Sequence, residues 1–211
     1  SYPALIANLL GGSLDSEIAL RTECRTKNQI LEEAIRCRPD LVLMGSLSGV
    51  EWKSLFPPLI KEFLLENLPC SILAAQQAKW PISKVLFVLQ EEDIDHTTFQ
   101  WVLRFAKSGQ LEVSILPLLP PVPLMFKGLS DSYYNLTELM SSQHSLGKHI
   151  RSFMDRLNVE GIRGSVLIRD EPPLDQVIFE ASEGEYDLVM VGMSKSPRIH
   201  RWAAGGLVHS L

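Results

Sequence analysis

The sequence is poor in the residues that usually announce a reactive site. Its three cysteines, Cys24, Cys37 and Cys70, form no close pair and no metal-ligand spacing, so neither a disulfide framework nor a zinc site is expected. Cys24 and Cys70 fall in predicted strands, where a free thiol behaves as a small buried hydrophobe. An odd count without a framework favours a reducing, cytoplasmic environment. The five histidines, His96, His144, His149, His200 and His209, show no metal spacing either; surface or helix-capping roles are expected, and no metal. The net charge of −5 argues against a nucleic-acid partner, because phosphate binding needs a basic face. No uninterrupted apolar run approaches the roughly 18–20 residues that cross a bilayer, so no membrane segment is expected in this chain. The greasiest stretch, Ile115 to Phe126, contains Pro117, Pro120, Pro121 and Pro123 and reads as a loop. No Ser/His/Asp or Cys/His arrangement falls at the predicted strand ends, which leaves the usual nucleophile architectures unsupported and predicts no enzyme.

What the chain does contain is a copy of part of itself. Asp40-Leu41-Val42-Leu43-Met44-Gly45 returns as Asp187-Leu188-Val189-Met190-Val191-Gly192. At the same offset Gln29 matches Gln176, Glu33 matches Glu180 and Ala34 matches Ala181. Such a spacing exceeds the roughly 20–50 residues of solenoid repeats and is that of a domain. The 211 residues, 45% of them apolar, therefore read as parts of two copies of one domain. The expected division is 1–75 for the C-terminal half of a first copy, 76–82 for a linker and 83–211 for a second copy without its final strand. An ordered part of a longer polypeptide, with about 80 residues ahead of it, explains the pattern; a shorter, permuted domain is the alternative.

Strands and helices alternate along the second copy. Lys84–Leu89 is a continuous apolar run, as in a strand buried on both faces. Asp93 or Asp95 can cap the following helix, whose stripe is Phe99, Val102, Leu103 and Ala106. A strand at Leu111–Leu116 and a proline-rich connection over 117–134 follow; connections of that length are usually functional or mobile. A helix over Asn135–Leu157, a strand at Gly164–Arg169, a helix at Leu174–Ser182, a strand at Asp187–Val191 and a helix starting near Arg201 complete it. The first copy supplies a strand at Ile18–Arg25, a helix at Asn28–Arg36, strands at Leu41–Met44 and Cys70–Ala74, and a helix at Trp52–Asn67 between the last two. This alternation predicts α/β architecture with parallel sheets covered on both faces.

Ligands of such sheets bind beyond the carboxyl ends of the strands, where strand order reverses. There the second copy reads Gly192-Met193-Ser194-Lys195-Ser196-Pro197-Arg198-Ile199-His200-Arg201-Trp202-Ala203-Ala204-Gly205-Gly206. Glycines let backbone N–H groups approach an anion, and a helix start adds positive potential. Lys195, Arg198, His200 and Arg201 concentrate cationic groups in an acidic chain. A tight strand-to-helix turn with solvated basic side chains is the plainer reading. Tyr133-Tyr134 and Trp202 could stack on a base, or serve packing alone.

With Asp187–Val191 ahead of it, this loop resembles the end of a universal stress protein domain. Nucleotide-binding members of that family carry Gly, two residues, Gly, nine residues, Gly, then Ser or Thr. Here Gly192 and Gly205 keep the frame, Lys195 replaces the second glycine and Gly206 replaces the hydroxyl residue. The family's Pro-Cys pair before the last strand is matched by Pro69-Cys70. The resemblance implies an open five-stranded parallel sheet of order 3-2-1-4-5, with helices on both faces and domains associating through sheet edges, here as a tandem pair or a homodimer. It also implies an adenine nucleotide, ATP or AMP, at the loop, with Gly192, Gly205 and Gly206 offering backbone and Lys195, Arg198 or Arg201 offering charge. The family's Asp at the end of the first strand is matched by Gln90, which hydrogen-bonds but brings no charge for a metal. In the first copy Pro58 and Leu59 stand where Gly and Ser belong, and proline has no N–H for a phosphate. The function implied is a cytoplasmic stress-response module without chemistry of its own. The alternative is a nucleotide-free interaction or dimerisation domain, including the cytosolic regulatory tail of a membrane transporter.

Overall fold

The computed structural model describes residues 26–45, 63–64, 67–75, 82–90, 92–107, 111–119, 135–169 and 173–192. They group into two compact units, one within residues 26–75 and one within 82–192. The expected strand at Ile18–Arg25, most of the helix at Trp52–Asn67 and the helix from Arg201 lie outside the described residues.

In the first unit, a capping box starts α1 (Lys27–Cys37): the Thr26 hydroxyl accepts from the Gln29 N–H while the Gln29 side chain accepts from the Thr26 N–H. The helix ends where Arg38 turns left-handed at φ 48° and gives its N–H to Ala34 O. Strand β1 (Leu41–Gly45) pairs in parallel with β2 (Ser71–Ala75), Leu41 opposite Ser71. Ile30, Leu31 and Ala34 of α1 pack with Leu64 and Leu68 against Val42, Met44 and Ile72, which makes a small core on one face of the pair.

The second unit runs β3 (Lys84–Leu89), α2 (Glu92–Lys107), β4 (Glu112–Pro117), α3 (Leu136–Ser141), α4 (Ser145–Val159), β5 (Arg163–Val166), α5 (Pro173–Glu183) and β6 (Leu188–Val191). Its four strands are all parallel and lie in the order β5-β4-β3-β6. Counted along the copy this is 3-2-1-4, the first four places of the order the resemblance implies. The uninterrupted apolar run of β3 takes the centre, where Val85 to Leu89 are all buried. On one face Phe87 meets Phe99 of α2 and Phe153 of α4, both at 5.6 Å between ring centroids, and the two helical rings lie 4.4 Å apart. The opposite face, carrying Leu86 beside Ser114 and Val189, looks toward α5.

Two sequence expectations need correction. The single helix over Asn135–Leu157 is two, because Ser142 is extended and the His144 ring accepts the Leu146 N–H as the cap of α4. The bend is held by the Arg151 guanidinium, which donates to the carbonyls of Met140 and Ser142. Gly147 lets the pieces touch, since a Cβ there would stand 2.2 Å from Leu139 O. Secondly, neither Asp93 nor Asp95 is the cap of α2, which already begins at Glu92; of the two, Asp95 has a described partner. It lies inside the first turn and its carboxylate reaches back to the Gln90 N–H at 2.8 Å.

The segments matched in sequence share local features. Helices α1 and α5 each have 11 residues, and the strands after them begin at the matched Leu41 and Leu188. Among the described residues two non-glycine positions have positive φ, Arg38 at 48° and Glu185 at 52°, and each stands two places before the aspartate of a matched Asp-Leu-Val segment. A left-handed L-residue costs about 1–2 kcal/mol that glycine avoids, offset partly by glycine's greater unfolded-state entropy. Glu185→Gly is therefore expected to stabilise the second unit by about 0.5–1 kcal/mol, read as a higher urea midpoint at unchanged slope. An unchanged or lower midpoint would show that the turn is not strained.

Candidate functional site

Strand order reverses at β3: the chain moves from β3 to β4 and β5 on one side, then returns to place β6 on the other. The crevice between the carboxyl ends of β3 and β6 is the switch point at which open α/β sheets bind ligands. Gln90 and Gly192, both singled out in the sequence, follow those two strand ends, and the structure brings them together. The Gln90 Nε2 donates to Gly192 O at 3.0 Å, and Gly192 is buried. Lys195, Arg198, Gly205 and Gly206, the other candidate residues, lie outside the described residues, as do Arg201, Trp202 and Tyr133-Tyr134.

The residue that sequence reasoning placed wrongly is Asp95. Its carboxylate is fully buried beneath the crevice and holds the Gln90 backbone from the first turn of α2, where an acidic group also suits the helix N-terminus. Both the backbone N–H and the side-chain amide nitrogen of Gln90 are thus engaged within the protein. Gln90 acts as a cross-tie between β3 and β6, a role its neighbours in sequence could not indicate.

At the other end of the sheet the Asp187 carboxylate collects three donors: Ser83 N–H and Ser83 Oγ–H at 2.8 Å and Lys84 N–H at 3.0 Å. The Asp187 N–H itself donates to Lys84 O at 3.0 Å. The β3–β6 pair that forms the crevice is therefore fastened at both ends, by Asp187 below and Gln90 above.

Further polar groups gather away from the crevice. Arg169 donates to the buried Glu180 carboxylate at 2.6 Å through Nε and lies over the Phe179 ring at 5.4 Å. Ser114 Oγ meets Ser165 Oγ at 3.1 Å and hydrogen-bonds the Tyr186 phenol. Burial raises the Tyr186 pKa, against the opposing effect of that bond. Burial likewise raises that of the Cys70 thiol, which keeps it protonated and unreactive. The His96 and His149 rings, on different helices, stand 6.4 Å apart against Phe153, a pairing that spacing along one helix does not reveal. Among the described residues no group of three or more His, Cys, Asp or Glu could hold a metal ion, and no helix is long and apolar enough to cross a membrane.

A scan against protein-family models finds no match, and neither does a search of curated proteins. Among solved structures the chain is similar to universal stress protein UspA from Lactobacillus plantarum, at 16% identity and TM-score 0.43, over 63% of this chain and 91% of that one. It is also similar to a universal stress protein family protein from Arabidopsis thaliana with AMP bound, at 16% identity and TM-score 0.37, over 58% of this chain and 86% of the other.

Proposed function

We propose that this chain is a stress-response module of the universal stress protein type, without catalysis of its own, that takes an adenine nucleotide in the crevice between β3 and β6. The observation that carries the reading is the parallel order β5-β4-β3-β6, which puts the Gly192 end of β6 beside the Gln90 end of β3 at a switch point. In this reading Gly192, Gly205 and Gly206 present backbone to phosphate, Lys195 and Arg198 neutralise its charge, and the ligand is ATP or AMP without a protein-bound metal. The chain is a tandem pair, 1–75 and 83–211 joined by 76–82, working in the cytoplasm and associating through sheet edges within the pair or as a homodimer. The AMP bound by the Arabidopsis relative makes that ligand the first to try.

A second reading rests on Gln90. With its backbone N–H given to Asp95 and its amide to Gly192, it has less to offer a base or ribose, which favours a nucleotide-free interaction domain. That domain would be a separate protein or the cytosolic tail of a transporter. Calorimetric titration of ATP and AMP, with and without magnesium, separates the readings. Micromolar binding that a Gly205→Pro substitution abolishes is expected. No heat at millimolar nucleotide would discard the nucleotide and leave the interaction domain.

A further inference from the structure

The aromatic cluster between α2 and α4 extends past its buried part. The strands of the second unit are all parallel, so α2 and α4, which each return the chain to the start of the next strand, run in the same direction. Phe99 and Phe153, each 2% exposed, meet in the middle of the contact between these helices. One turn earlier on each helix stands a histidine, His96 before Phe99 and His149 before Phe153, at the spacing of three or four that keeps a side chain on the same face. Helices running in the same direction bring these two positions to the same end of the contact. The imidazoles stand there 6.4 Å apart, edge to face at 78°.

His96 is exposed and His149 half-buried, so the pair sits at the rim of the core, within reach of water. A cover for Phe153 needs only apolar surface, which leucine supplies without setting against each other two basic rings that repel when both are protonated. Two imidazoles from separate helices offer instead a pair of nitrogen ligands. A ring bonded to a metal at about 2.0–2.1 Å has its centre about 3 Å from the ion, so two rings on one ion have centres about 5–6 Å apart. The observed 6.4 Å closes to that range with a side-chain movement of about 1 Å, within the rotamer freedom of an exposed residue such as His96.

We propose that His96 and His149 form a cation site bridging α2 and α4, which takes one late first-row divalent ion, Cu2+ or Zn2+, through one nitrogen of each ring. Water completes the shell. Each imidazole keeps its second nitrogen for a hydrogen bond, the usual arrangement of a metal-bound histidine. Imidazole suits copper and zinc, with Cu2+ the tighter of the two, whereas Mg2+ prefers oxygen ligands. Two protein ligands hold an ion less firmly than the three or four of dedicated zinc sites, so the ion exchanges reversibly and clamps the two helices while bound. This assignment rests on the histidine pair and is independent of nucleotide binding.

The test titrates Zn2+ into the full chain while the imidazole C–H signals of all five histidines are followed by NMR. The His96 and His149 signals are expected to move together along one saturating curve, and Mg2+ at the same concentration to move neither. His96→Gln or His149→Gln alone should weaken Zn2+ binding about tenfold or more, whereas His144→Asn, which keeps a capping residue on α4, leaves it unchanged. At a hundred times its dissociation constant, Zn2+ should shift the unfolding equilibrium about a hundredfold toward the folded form, and by much less in either glutamine variant. The proposal is overturned if neither signal moves at about 1 mM Zn2+, or if the two follow different curves, as separate rings would. Those two outcomes are read on the unaltered chain and need no variant to fold. It is also overturned if the glutamine variants bind Zn2+ as tightly as the unaltered chain, or if His144→Asn weakens binding as much as they do, which would place the ion elsewhere.

Discussion

Phe153→Ala is expected to lower the stability of the second unit by about 3–5 kcal/mol, the usual cost of emptying a large aromatic site. Phe153 is 2% exposed and stands where three elements converge. Its ring meets Phe99 of α2 at 4.4 Å and Phe87 of the central strand at 5.6 Å. It also supports the His96 ring at 5.4 Å. Removing it opens a gap between two helices and the middle of the sheet, a place that cannot close without moving α4 along its length. Against a total of about 5–15 kcal/mol for a domain, this leaves little margin. Phe153→Leu should recover most of the loss, because it restores volume if not shape. Urea unfolding followed by circular dichroism measures both. A loss below about 1.5 kcal/mol for alanine would mean that the aromatic cluster collapses into the gap and does not organise the interface.

Asp187→Ala is expected to cost about 1–3 kcal/mol, since it removes the charged acceptor of three hydrogen bonds, one of them from the half-buried Lys84 N–H at the start of the central strand. The loss should fall on the β3–β6 pair first, because no other described side chain ties Ser83 to β6. Hydrogen exchange of the Val85 to Val88 amides would report this as faster opening ahead of global unfolding. Asp40→Ala provides the internal comparison. Its carboxylate is exposed, and among the described residues its strand pairs with β2 alone, so a change of less than about 0.5 kcal/mol is expected there, as for ordinary surface sites. Equal losses at the two aspartates would mean that Asp40 anchors its strand as Asp187 does.

How legible these features were depends on whether they are local. The central strand announced itself, because a run such as Val85 to Leu89 has few uses outside a doubly covered sheet. The matched Asp-Leu-Val segments were legible as strand starts because one turn-to-strand geometry suits both. That geometry is now seen in the shared left-handed residues Arg38 and Glu185. Other identities misled. Glu180 is buried against Arg169, whereas its match Glu33 is bonded to Arg36 on its own helix. Gln176 is buried, whereas Gln29 closes a capping box. Identity there does not carry a shared role. The break before α4 had no proline to mark it, and Gly147 alone is an ambiguous sign, since a histidine cap and an arginine eleven residues beyond Met140 make the break. Asp95 was misread because an acid at a helix start carries the same sequence signal whether it caps or reaches backward. For the crevice, sequence located both ends, Gln90 and Gly192, but a bond between residues a hundred positions apart is a tertiary fact.

The central place of β3 also has a history during synthesis. Its two flanks are completed at very different times. The β4 flank is filled after some twenty residues, but the other must wait for Leu188–Val191, with the Ser83–Asp187 clasp spanning 104 positions. At about 5–20 residues per second, that leaves the most apolar strand of the nascent chain with one bare side for roughly 5–20 s. Throughout that interval Leu86 and Val88 have no partner from β6, and neighbouring nascent chains on the same message present the same bare side. Ribosomes spaced closely along that message would thus favour aggregation, and the yield of folded protein should fall as translation slows between the codons for Pro117 and Leu188.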